Sequence, residues 1–310
     1  MFNFTRKNLN KLQDIDSLKN KERFTIKDLE NFTGIKAHTI RIWEKRYKLL
    51  EPKRTETNIR FYDENDLKKI LNINLLYNNS YKISKIALLR EQEIFEASKA
   101  LILNTSNSTS EVDQLTLAIL KFEKEKVLEI FSRYSKNIFE LYEKIIVPFL
   151  IKVGELWQVN SIQIIHEHFF SILFKEYLHE KITSLDSTDK SNSNVLLFLH
   201  EKEEHEFTIL LYYYLFKSKG YNCFYMGQSV PITDLEFAIP KIKPKYIFTS
   251  CIAKIEEKEF VTIIDTLLAH ATNCKIIMSG YQTSMYKNLV PKSITLINSK
   301  EEFEKLAQNI

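Results

Sequence analysis

The chain has 310 residues, 44% of them hydrophobic, and its 44 Lys and Arg stand against 40 Asp and Glu. That length fits two or three domains with ample apolar content for their cores, and no stretch approaches the apolar length of a membrane span. Three cysteines, Cys223, Cys251 and Cys274, lack the spacing of a zinc site; with no signal peptide the reading is reduced thiols in a cytoplasmic protein.

Residues 1–20 are polar and expected to be loose. Between Lys21 and Arg90, 16 Lys and Arg face 9 Asp and Glu, so this segment carries more than the whole chain's net charge of +4. A locally basic small domain points to a polyanionic partner. Thr25 with Asp28 three residues on is a helix-start signal, and Gly34 is a stop. A second helix, HTIRIWEKRYKLL, follows after Ile35–Lys36–Ala37. Ile40, Trp43 and Tyr47 fall on one face and read as core, with His38, Thr39, Arg41, Lys45 and Arg46 pointing elsewhere. Two short helices about a glycine turn, the second polar and basic, describe a helix-turn-helix. EPKRTETNIRFYDENDL then carries Arg54, Asn58 and Arg60 in a short hairpin or wing, and Asp63 starts the next helix. NNSYKISKIALL reads as a fourth helix with Ile83, Ile86 and Leu89 as its buried stripe.

From Phe24 to about Leu89 the chain resembles the winged helix-turn-helix of MerR-type transcription regulators. The likeness rests on the HTIRIWEKRY helix, the PKRT wing and the RFYDEND step. It implies a double-stranded DNA operator as partner. It places His38, Thr39, Arg41 and Arg46 near bases or phosphates, and Arg54, Arg60 and Tyr62 on the DNA backbone.

A Ser/Thr/Asn-rich stretch near 104–110 reads as a linker. Beyond it LTLAILKF, KVLEIFSRYS, FELYEKIIVPFLIKVGELW and SIQIIHEHFFSILFKEYLHEKI make four helices, hence a bundle, with Pro148 as a kink in the third. Trp157 stands ten residues before Glu167 and eleven before His168. A tryptophan in a bundle is ordinarily core and a Glu–His pair ordinarily surface. The order Gly154, Trp157, Glu167–His168 nonetheless resembles the helical cap of cobalamin-binding MerR-type regulators, which include photoreceptor repressors of carotenoid genes. The resemblance implies that Trp157, Glu167 and His168 meet the upper face of a cobalamin. Gln158 stands where light-sensing members have a histidine, and an amide replaces imidazole poorly on cobalt.

After a polar linker at 184–194, VLLFL ends in His200-Glu-Lys-Glu-Glu-His-Glu206, and a helix closes at Gly220. NCFYMG, YIFTSC, KIIMSG and ITLIN are further buried strands, with helices expected at 203–219, 233–242, 255–270 and 300–308. This alternation predicts a doubly wound parallel sheet with ligands at the carboxyl ends of its strands. The charged loop nearly spells the zinc-protease motif HExxH, but His200 and His205 are one residue too far apart. On a helix they would lie roughly 140° apart and could not share a metal. The loop by itself can hold a metal, run acid–base chemistry or be a solvated turn.

Its context resembles the cobalamin-binding Rossmann-like domain. The resemblance implies that His205 ligates cobalt below the ring, with Glu203 setting its tautomer, and that Gly227, Ser250, Ser279 and Gly280 line a slot for the nucleotide tail. Thr208 and Ser279 both replace glycines of the family pattern.

The expected architecture is multidomain. An all-α winged helix-turn-helix head spans 21–92, a four-helix bundle capping the cobalamin spans 93–183, and an α/β Rossmann-like doubly wound domain spans 195–310. The expected function is a DNA-binding regulator, not an enzyme. Cobalamin, adenosylcobalamin first, would be held between bundle and Rossmann-like domain and would control a homo-oligomer, dimer or tetramer, with light response left open. One alternative is a regulator of this fold that has lost the corrinoid and answers to a protein partner or other ligand. The other, a corrinoid-dependent methyl carrier or mutase subunit, leaves the basic head without a use.

Overall fold

The computed structural model describes residues 23–55, 57–104, 110–185, 193–271 and 273–309. The expected loose terminus and most of both linkers lie outside the described residues. The chain divides into two compact units. The head unit holds 23–127 and 145–168, and the sheet unit holds 128–144 and 169–309. The division passes through the bundle region and does not follow the linkers.

In the head unit, α1 (Ile26–Thr33) begins at Thr25, whose side chain accepts from the Asp28 backbone while Asp28 returns a bond to Thr25. It ends at Gly34, which sits at φ 73°. Glycine adopts this left-handed turn without steric cost. Helix α2 spans Ala37–Tyr47, and the wing is an antiparallel pair, β1 (Lys53–Arg54) with β2 (Arg60–Phe61). Asp63 caps α3 (Glu64–Asn78) through a reciprocal pair with Asp66. Trp43 is 6% exposed and packs with Leu29, Ile40, Leu67 and Ile70, as its helical spacing predicts.

The expected fourth helix is a single turn, α4 (Ile83–Ile86); of the expected stripe Ile86 is buried and Ile83 and Leu89 are half-buried. A longer helix follows, α5 (Glu91–Asn104), packed along α3. Its signal was present at Ile94, Ala97, Ser98 and Leu101, the spacing of one helical face.

Helix α6 (Glu111–Leu120) is capped by Ser110, and α7 (Lys124–Ser132) and α8 (Ile138–Leu141) follow. A π-helical turn at Tyr142–Ile146 leads into α9 (Val147–Gln158), and α10 spans Ile164–Thr183. Pro148 lies inside an unbroken helical run from Ile138 to Gln158, directly after the π-helical turn, which is the irregularity its missing N–H and ring would impose on a regular α-helix.

The sheet unit contains β3 (Asn194–Phe198), α11 (Glu206–Ser218), β4 (Asn222–Tyr225), α12 (Ile232–Ile242) and β5 (Tyr246–Ser250). It continues with α13 (Glu257–His270), β6 (Lys275–Ser279), α14 (Tyr281–Met285), β7 (Thr295–Ile297) and α15 (Lys300–Asn309). The five strands are parallel in the order β4-β3-β5-β6-β7. Both faces are covered, which is why the strands read as unbroken apolar runs. On one face Leu196, Phe198, Ile247 and Met278 meet α12 and α13 through Leu235, Ile239, Phe260 and Ile264. On the other, Tyr212 of α11 stacks on Phe248 at 3.8 Å and meets Phe303 of α15 edge-on. Phe207 also stands edge-on to Phe170 and Phe174, tying the carboxyl part of α10 to α11. The strand order reverses between β3 and β5, so the crevice of this fold lies outside their carboxyl ends.

Candidate functional site

At that crevice the loop after β3 turns back on itself and buries Glu203 completely. One carboxylate oxygen, Oε1, takes the backbone N–H of His205 at 3.0 Å and its ring Nδ1. The other, Oε2, accepts from the backbone N–H groups of Ile252 (2.6 Å) and Ala253 (2.7 Å), in the loop after β5. Burial alone would raise this carboxyl. The bonds from His205 and the backbone outweigh it and hold Glu203 below the ordinary carboxylate range. An ionised Glu203 fixes the proton on Nδ1, which makes Nε2 the ring atom that can ligate a metal. Among the described residues no three His, Cys, Asp or Glu side chains converge as a metal cage. A metal here would therefore bring most of its own ligands.

Of the other titratable residues of the loop, only His200 approaches the pair, its Nε2 lying 4.0 Å from Glu203 Oε2. His200 is buried, its Nδ1 lies 2.8 Å from the Glu201 carbonyl, and desolvation holds it below the ordinary imidazole value. Glu206 is bound by Lys175 (3.1 Å) and the Tyr225 hydroxyl (2.8 Å). Glu201 and Glu204 are exposed.

Ser250 and Ser279, register partners at the ends of β5 and β6, are both buried, with their hydroxyls 3.3 Å apart. Thr208 is 7% exposed and hydrogen-bonded to Tyr142, whose phenol burial pushes up to about 12. Gly227 sits at φ 85° with open space where a Cβ would be. Gly280 sits at φ 102°, and a Cβ there would fall on the Cys251 carbonyl, so backbone packing already requires this glycine. The Glu203–His205 donor pair fits a corrinoid cobalt.

Of the residues expected above the ring, all three belong to the head unit. Trp157 joins the head's apolar cluster, with the Lys68 ammonium 4.6 Å from its ring centroid. Gln158 Nε2 donates to Asn72 Oδ1 at 3.0 Å, and Lys68 donates to Asn160 at 2.7 Å. The end of α9 is thus fastened to α3. Glu167 and His168 lie 3.5 Å apart, with the His168 side chain 54% exposed. His166 stacks on Phe122 at 4.7 Å. Trp157→Ala should destabilise the head unit by about 2–3 kcal/mol. In a double-mutant cycle with Lys68→Met, urea unfolding should give a coupling of about 0.5–1 kcal/mol. A coupling of zero would remove the Lys68–Trp157 contact as a stabilising element.

On the head, His38, Arg41, Lys45 and Arg46 are exposed along α2, and Thr39 is half-buried. Arg54 is exposed and bonds Asn58 Oδ1 at 2.6 Å within the wing, and exposed Arg60 lies 3.8 Å from Glu44. Tyr62 is a correction. Its backbone bridges Phe24, its ring is fully buried and its hydroxyl donates to Glu44, so it supports the wing from inside and has no surface to offer DNA. Sequence reading also passed over Ile42 and Ile59, exposed apolar residues on α2 and beside β2.

Comparison with known proteins agrees with this architecture. Residues 24–93 match the family model for MerR HTH family regulatory proteins, and 111–179 match the B12 binding domain. The chain thus resembles, in order, a MerR-type helix-turn-helix and a B12 binding domain, followed by a five-stranded parallel sheet.

Among its relatives is the HTH-type transcriptional repressor CarH of Myxococcus xanthus, 23% identical over 236 residues, covering 73% of this chain and 78% of that one. CarA of the same organism, also an HTH-type transcriptional repressor, is 22% identical over 263 residues, covering 82% and 85%. The monomethylamine corrinoid protein of Methanosarcina barkeri shares the fold, with a TM-score of 0.51 and 13% identity over 63% of this chain and 96% of that one. No described helix is long and apolar enough to cross a membrane.

Proposed function

We propose that this regulator binds a corrinoid at the carboxyl ends of β3 and β5, and that occupancy of the site governs oligomeric state and hence DNA binding. Adenosylcobalamin is the first ligand to test. The observation that carries the reading is the Glu203–His205 pair, with Glu203 anchored by two amides from the next strand's loop. His205 would hold a bound corrinoid through its cobalt, which would supply the group's metal chemistry and colour. This chain's part is to hold Nε2 neutral and correctly turned. Glu203 does that through Nδ1, and desolvation of the carboxylate strengthens the hold. Trp157, Glu167 and His168 remain the proposed upper contacts.

The Gln158 amide is held by Asn72 and offers no imidazole, which favours control by ligand occupancy over control by light. Full-length protein titrated with adenosylcobalamin, dark and illuminated, should acquire a corrinoid spectrum and change size on a sizing column. His205→Ala should alter that spectrum. Protein that stays colourless sinks the reading.

A second reading is favoured by Thr208 and Ser279, which stand where the family pattern has glycines. In it, the fold is kept without a corrinoid, and a protein partner or another ligand exerts control. Full promoter control in cells devoid of cobalamin is its expected signature.

DNA contact is proposed through His38, Thr39, Arg41 and Arg46 of α2 and Arg54 and Arg60 of the wing, from paired heads on a pseudo-palindromic operator. Arg41→Ala should cost about 1–3 kcal/mol at one operator position and relax specificity there. Arg60→Ala should weaken all sequences alike and flatten the dependence of log K on log salt by about 1. Gel-shift titrations at several salt concentrations, on operator and scrambled DNA, separate the two. Unchanged affinity in both variants would remove α2 and the wing from the interface.

A further inference from the structure

The exposed face of α2 is not uniformly basic. Its exposed residues His38, Arg41, Ile42, Lys45 and Arg46 share one arc of the helix. At about 100° per residue that arc is about 140° wide. Ile40, Trp43 and Tyr47 lie on the opposite side, the first two buried in the head's core and Tyr47 packed against it. Ile42 falls inside the arc, between Lys45 and Arg46 around the helix, and is 52% exposed. A lone exposed isoleucine is ordinary on a protein surface. Here its neighbours say what covers it. Arg41, Lys45 and Arg46 draw the arc onto a polyanion, and the middle of the arc is the part carried to the base edges. Glu44, the one carboxylate of α2, lies outside the arc. It is half-buried, accepts from the Tyr62 hydroxyl and stands 3.8 Å from Arg60. The arc therefore presents cationic donors and one apolar group, with its helix's carboxylate withdrawn. In the major groove guanine offers two acceptors, and thymine offers an acceptor and a 5-methyl group. Cytosine and adenine present amino groups that need an acceptor. Thymine is the base whose edge matches an isoleucine among donors.

We infer that Ile42 is a specificity residue of the head, packing on the 5-methyl group of a thymine in the major groove of the operator. The inference rests on α2 being the DNA-facing helix. Ile42 carries no charge, so it adds nothing to the attraction of phosphates. Its contribution is the apolar surface that isoleucine and methyl group remove from water together, and it is confined to the one base that carries the methyl group.

The test starts from a random duplex library enriched by the full-length protein, with and without adenosylcobalamin. The selected sequence then serves as the probe in gel-shift titrations. Its thymines are replaced one at a time by deoxyuridine, which removes the 5-methyl group and keeps the base pair. At one thymine of each half-site the replacement should weaken binding by about fourfold. In Ile42→Ala the same replacement should change affinity by less than about twofold. The salt dependence of Ile42→Ala should match the parent's, since no phosphate contact is lost. The substitution is on the surface of a helix and exchanges isoleucine for a better helix former, so the variant should fold. Indifference to the replacement at every thymine, or an equal loss in the parent and in Ile42→Ala, overturns the inference and leaves the basic residues of α2 on DNA. If no sequence is enriched under either condition, the DNA-binding reading falls together with it.

Discussion

Glu203→Ala should destabilise the sheet unit by roughly 3–5 kcal/mol, measured by urea unfolding of the ligand-free protein at neutral pH. The carboxylate receives four donors, two from His205 and one each from Ile252 and Ala253, and it has no exposed surface. Removing it strands buried amides in the loop that closes the crevice, and each stranded donor costs about 1–3 kcal/mol. Glu203→Gln should recover only part of this, because one of its two terminal atoms must present hydrogens to a donor.

The same side chain makes stability depend on pH. Its folded value lies below its unfolded value. Its contribution is therefore complete above the ordinary carboxylate range. As pH falls through the unfolded value and then the depressed folded one, that contribution is lost. Glu203→Ala should flatten the acid limb of the stability curve. A variant within about 0.5 kcal/mol of the parent at neutral pH would mean that the loops after β3 and β5 hold together without Glu203.

The strands of the sheet unit were legible because both their faces are buried. VLLFL, YIFTS and KIIMS are apolar almost without interruption, and charged or turn residues end each run where the strand ends. Glu203 and His205 were legible as a pair because they are two residues apart. Their anchor was not. The amides of Ile252 and Ala253 lie about fifty residues downstream, and backbone N–H groups leave no mark in composition.

Tyr62 misled for a related reason. It stands in a basic wing, and only its bridge to Phe24 reveals that it points inward. Trp157 was visible as a large aromatic on a bundle helix, but its contact with Lys68 depends on how α9 meets α3, which no local pattern specifies. The bond between Thr208 and Tyr142 lies equally beyond local reading, because the two stand far apart in sequence.

Gly280→Ala should cost about 3–5 kcal/mol, also with no corrinoid present, and that is what separates a backbone role from a ligand-lining one. The residue is held at φ 102°, where an L side chain is strained by about 1–3 kcal/mol. A Cβ would also collide with the Cys251 carbonyl. That carbonyl cannot yield easily. The Cys251 N–H donates to the Ser279 carbonyl at 2.8 Å, and the Gln282 N–H donates to the Cys251 carbonyl at 3.0 Å, locking the exits of β5 and β6 together. Gly227→Ala is the natural control. It shares a positive φ, 85°, but meets nothing within 4 Å, so it should show only the conformational cost of about 1–2 kcal/mol. Thermal and urea unfolding of both variants, without ligand, should rank Gly280→Ala well below Gly227→Ala. Were Gly280 kept small only to admit a cofactor's tail, its substitution would cost no more than that of Gly227 in the ligand-free protein, and corrinoid binding alone would suffer.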